Sequence, residues 1–155
     1  MNEKILILTN SIQRDLDVIA GIYDDLDRHP MTREIDQDTL IVIAYHLHNL
    51  YNAFENIFRN VAMVFENSVE DTTRWHAQLL ERMRLDILPL RPAVISDEMY
   101  GALDELRRFR HVFRHAYILK LDPLRLQIVI REANDLKSLY PDQMQRFIKF
   151  LQSLI

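Results

Sequence analysis

Between Leu106 and Tyr117 the chain reads Leu106-Arg107-Arg108-Phe109-Arg110-His111-Val112-Phe113-Arg114-His115-Ala116-Tyr117. Four arginines, two histidines and a tyrosine crowd into twelve residues of a protein whose formal net charge is -4. Arginine grips phosphate with a planar fork, and histidine exchanges protons near neutral pH. Together these residue types suit chemistry on a phosphodiester. RNA carries its own nucleophile, the 2'-hydroxyl, so its cleavage needs only a base for that proton, an acid for the leaving oxygen and a cation for the pentacovalent intermediate. Neutral imidazole, protonated imidazole and guanidinium fill those three roles without a metal or cofactor, and leave a 2',3'-cyclic phosphate and a 5'-hydroxyl.

The elements that must hold these residues are helical. Two glycines in 155 residues are too few for the turns of a many-stranded sheet protein, while 48% hydrophobic residues suffice for one core. A single domain over residues 1–155 is expected. There is no cysteine, which excludes disulfides, thiolate metal sites and a thiol nucleophile and fits a reducing, cytoplasmic setting. The apolar run Ile5-Leu6-Ile7-Leu8 is too short for an export signal, and nothing approaches the ~20 apolar residues of a membrane span. The acidic balance confines any contact with nucleic acid to a local patch.

Apolar residues at steps of three and four mark a first helix through Ile5, Leu8, Ile12, Leu16, Ile19, Tyr23 and Leu26, closed by His29-Pro30. A second start at Asp36 or Asp38 opens a long helix with the stripe Leu40, Ile43, Leu47, Leu50, Phe54, Ile57, Val61 and Val64. Beside it runs a polar stripe of Tyr45, His48, Asn52, Glu55 or Asn56, and Arg59, which reads as a solvated flank or as support for a site. Asp71-Thr72-Thr73 offers caps for a third helix carrying Trp75, Leu79, Met83 and Ile87, ahead of a stiff connector at Pro89, Arg91 and Pro92. Ser96 caps the fourth helix, with Asp97 and Glu98 in its first turn. Asp122-Pro123 starts a fifth, which Pro141 either kinks or divides. The fold expected is an all-α, antiparallel up-and-down bundle of four to five helices.

The basic segment falls at the end of the fourth helix. Its inward stripe is Leu103, Leu106, Phe109 or Arg110, Phe113 and Tyr117, so Arg110 is expected to be at least half buried. A buried guanidinium needs a partner, and Glu55 or a ligand phosphate could serve. His115 lies ~140° around an ideal helix from Arg110, so the two meet over one substrate only if the helix frays or a second subunit brings its own copies across a two-fold axis. His111 and His115, four apart, share a side.

The spelling from Arg110 to Tyr117, arginine, four residues, histidine, one residue and tyrosine, resembles the signature of HEPN-domain toxins of the HepT type. His111 stands where that family more often has asparagine or aspartate. The resemblance implies the toxin of a type VII toxin–antitoxin pair: a homodimeric, metal-independent endoribonuclease with Arg110 and His115 in a cleft between subunits. It also implies a partner, a minimal nucleotidyltransferase antitoxin that transfers AMP to the tyrosine of the motif, here Tyr117. On this reading His111 and Arg114 support the site, Arg107 and Arg108 guide tRNA or mRNA through screened charge, and His48, Asn52 and Glu55 back the site from the long helix.

Three other accounts compete. The arginines could form a solvated face paired with Asp104 and Glu105, with Tyr117 in the core. His111 with His115, or His46 with His48, could hold a metal, although neighbouring arginines repel a dication and no acidic residue of a helical zinc motif lies between them. A catalytically inactive HEPN-like dimer could bind nucleotide, RNA or a partner protein with the same residues.

Overall fold

The computed structural model describes residues 1–67, 74–115 and 120–155. Five helices follow one another among them: α1 (Asn2–Asp27), α2 (Gln37–Phe65), α3 (Trp75–Met83), α4 (Asp97–His115) and α5 (Pro123–Gln152). No helix among the described residues is long and apolar enough to cross a membrane.

The stripes expected from spacing become the core. Ile5, Leu8, Ile12, Ile19 and Tyr23 of α1 are buried, as are Leu40, Ile43, Leu47, Leu50, Phe54, Ile57 and Val61 of α2, and all join one apolar cluster. Leu16, Leu26 and Val64 lie at its edge, partly buried. Cross-helix contacts give the directions. Asn56 and Asn60 of α2 donate to Asp15 and Ser11 of α1, so chain numbers rise on one helix as they fall on the other. Ser96 at the head of α4 meets Gln143 late in α5, and α2 pairs with α4 through Asn52 with Arg110 and His48 with Phe113. Each of these pairs is antiparallel, as an up-and-down bundle requires.

Caps set where the long elements start. Asp36 accepts from the Thr39 amide at 2.8 Å, Ser96 from the Met99 amide at 3.1 Å and Asp122 from the Leu124 amide at 3.0 Å. Asp71, Thr72 and Thr73, the expected caps of α3, lie outside the described residues. Ile87 is not helical, because it exchanges backbone hydrogen bonds with Arg91 in a tight connector that contains a cis Leu88-Pro89 peptide. Pro141 sits inside one continuous α5 and does not divide it.

The connector has a centre that loop composition hides. Arg91 is completely buried, and donates to the carbonyls of Leu85, Pro92 and Arg82 and to the carboxylate of Glu66 at the end of α2. Glu66 also pairs with Arg82 at 2.9 Å. A buried guanidinium needs its charge paired, and here one carboxylate does so while three carbonyls accept from the two Nη groups; only the buried Nε has no partner. The α3–α4 turn is thereby tied to α2, which fixes where α4 begins.

Candidate active site

α4 lays Met99, Ala102, Leu103, Leu106 and Phe109 into the core. That face sets the direction of every basic side chain after Asp104. Arg107 and Arg108 close on the same carboxylate, Asp104, at 2.9 and 3.0 Å. Glu105 takes neither. These two arginines, expected to guide RNA, therefore share one counter-charge on their own helix.

Arg110 is half-buried and turns to α2, where its Nε donates to Oδ1 of Asn52. Glu55, the carboxylate expected to meet Arg110, does not. It is only 6% exposed and its Oε2 lies 2.8 Å from Nδ1 of His76 on α3. The reason is rotational: Glu55 lies three residues past Asn52, so its side chain reaches toward the α3 side of α2 while Asn52 faces α4. The Tyr51 hydroxyl is buried close to Glu55; burial first, and then the Glu55 charge, hold it protonated although Arg107 and Arg110 pull the other way.

His48, one turn before Asn52, reaches the same groove and packs its ring 5.5 Å from that of Phe113. Its Nδ1 is buried without a partner. Burial, then the charges of Arg110 and Arg114, hold this imidazole below its ordinary range, so it is neutral at pH 7. His46 points elsewhere, toward His29 and Tyr45 with ring centroids 5.9 Å from each, so His46 and His48 do not form a pair. His111 and His115 are both exposed on the outer side of α4, their rings 4.4 Å apart and edge to face. Arg114 is exposed beside them. Among the described residues no three His, Asp or Glu side chains converge as a metal-binding set. Tyr117 lies outside the described residues.

A groove of α2 and α4 thus gathers Arg110, Asn52 and His48, while His111 and His115 face away from it. A family model for HepT-like proteins matches residues 42–151, a stretch that holds most of α2 and all of α3 and α4. The chain belongs to the HepT-like protein family. No match was found among curated proteins or solved structures. HepT-like proteins are HEPN-type toxins that work within toxin–antitoxin systems, and the five-helix bundle accords with that membership. The match covers both walls of the groove and leaves the whole of α1, which packs on α2, outside it.

The residues that sequence reasoning missed are partners. Asn52 was visible in the polar stripe, but nothing in the stripe shows which of its members faces α4. His76 carried no signal beyond its type, whereas Asp104 lies three and four residues before Arg107 and Arg108, the spacing at which it pairs with both.

Proposed function

We propose that this HepT-like protein is a metal-independent endoribonuclease toxin, one HEPN-like domain per subunit, active as a homodimer in the cytoplasm. The observation that carries this reading is the setting of Arg110. Among the described residues no carboxylate lies within 4.0 Å of its guanidinium, although Asp104 pairs with two arginines on the same helix. A half-buried cation held without a counter-charge fits a site whose missing charge arrives with the substrate phosphate.

In the proposed reaction the neutral imidazole of one His115 takes the 2'-hydroxyl proton as that oxygen bonds to phosphorus. Arg110 stabilises the pentacovalent intermediate. The protonated His115 of the second subunit gives its proton to the 5' oxygen as the P–O5' bond breaks. The outward turn of His115, away from the Arg110 groove, supports a cleft assembled from two copies of α4, and Val112, 52% exposed between the two histidines, offers apolar surface for such a contact. His111 and Arg114 line that face. A minimal nucleotidyltransferase antitoxin adding AMP to Tyr117 would set a phosphate and an adenine beside the cleft and block RNA by charge and bulk.

Induced expression is expected to arrest growth, and Arg110→Ala and His115→Ala, each still dimeric, are expected to relieve the arrest and to abolish RNA cleavage in vitro. Cleavage by the unaltered protein should survive EDTA. Persistent arrest with both variants would favour the other class of reading, a catalytically inactive HEPN-like dimer that binds nucleotide, RNA or a protein.

A further inference from the structure

The arginines of α4 stand in two electrostatic settings. Arg107 and Arg108 share Asp104, whereas Arg110 and Arg114 have no carboxylate within 4.0 Å among the described residues. What α2 offers Arg110 is a neutral wall. Asn52 accepts from Nε, His48 is an imidazole and Tyr51 a buried phenol, and the one carboxylate of that stretch, Glu55, is engaged with His76.

A guanidinium has five N–H donors in a rigid plane. With Nε–H committed to Asn52, the plane is fixed, and the Nη–H donors have no hydrogen-bond partner among the described residues. Aspartate at this position would have nearly the same shape and would hold the same Nε–H more strongly, because a carboxylate adds ion-pair attraction to the hydrogen bond. It would also cancel the charge. We infer that Asn52 is the positioning residue of Arg110, and that its amide, in place of a carboxylate, keeps the guanidinium aimed but uncompensated for a phosphodiester. The inference rests on the reading of Arg110 as a substrate-binding cation.

The test compares Asn52→Asp, Asn52→Ala and Arg110→Ala for melting temperature, RNA cleavage and salt dependence of affinity for a uniformly 2'-O-methylated single-stranded RNA, which cannot be cleaved. Each phosphate contact with single-stranded nucleic acid contributes roughly 0.7 to the slope of log affinity against log salt. Asn52→Asp is expected to melt at or above the unaltered protein, to lose at least tenfold in kcat/KM and to lose the same slope increment as Arg110→Ala. Asn52→Ala keeps the charge and releases the plane, so its slope stays near that of the unaltered protein while kcat falls. If Asn52→Asp melts lower, or cleaves and binds like the unaltered protein while Arg110→Ala fails in both, the inference is overturned and the role of Arg110 stands. If Arg110→Ala itself keeps cleavage and slope, both fall together.

Discussion

Arg110 and His48 face each other across the α2–α4 groove, and each sets limits on the other. A second positive charge beside Arg110 and Arg114 is unfavourable, and the buried Nδ1 of His48 has no acceptor for the proton it would gain. The native imidazole therefore titrates below 6.5, its ordinary value, which it regains on unfolding. Above that ordinary value neither state holds the proton and stability is constant. As pH falls below it the unfolded chain binds protons first, so stability declines until the native imidazole also titrates. His48→Gln is expected to remove that part of the decline, as urea midpoints across the acid range would measure. A bound anion should also raise the His48 titration midpoint, because it offsets the charges of Arg110 and Arg114. Imidazole NMR signals that titrate identically with and without the 2'-O-methylated RNA would count against a shared site.

At the scale of elements, α4 is anchored at its start. Ser96 caps its start and shares two hydrogen bonds with Gln143 of α5, each at 2.8 Å. The connector before it is centred on Arg91, and replacing that residue would strand the carbonyls of Leu85, Pro92 and Arg82. Removing one member of a buried ion pair typically costs about 3–5 kcal/mol. Because Glu66 retains Arg82, Arg91→Ala is expected near the lower end, about 3 kcal/mol, read from urea unfolding. Catalysis should fall only as far as the folded fraction does. An Arg91→Ala protein as stable as the original would mean that the connector does not set the start of α4.

At the scale of the whole molecule, the proposed reaction requires a second subunit, because His115 is turned away from the Arg110 groove. Light scattering on the purified protein is expected to give twice the 18.5 kDa chain mass. When unaltered and His115→Ala chains are unfolded and refolded together, mixed dimers hold one imidazole where the reaction needs two. Activity should therefore drop to that of the unaltered homodimers alone. Activity in simple proportion to the unaltered chains would rule out a shared cleft. Intact mass after co-expression with a nucleotidyltransferase antitoxin should show AMP increments that Tyr117→Phe abolishes.

The helices and their apolar faces were legible in the sequence because the three-four rhythm of Ile5 to Tyr23 and of Leu40 to Val61 is a local property: it decides which side of a helix is buried whatever lies against it. The caps at Asp36, Ser96 and Asp122 are local for the same reason. The concentration of cations in the basic segment was legible in its residue types. Choice of partner was not. Arg110 could meet Glu55 or Asn52 as far as spacing goes, and the rotation of α2 against α4 selects the amide, across 58 residues of chain. Glu55 is likewise taken by His76, 21 residues on, whereas the pairing of Asp104 with Arg107 and Arg108 is local and was legible in their spacing. Sequence by itself determined that this chain is a helical bundle with a strongly basic segment late in it. Only tertiary packing decided that Arg110 meets a neutral amide, because a partner on another helix is chosen by distance in space and not along the chain.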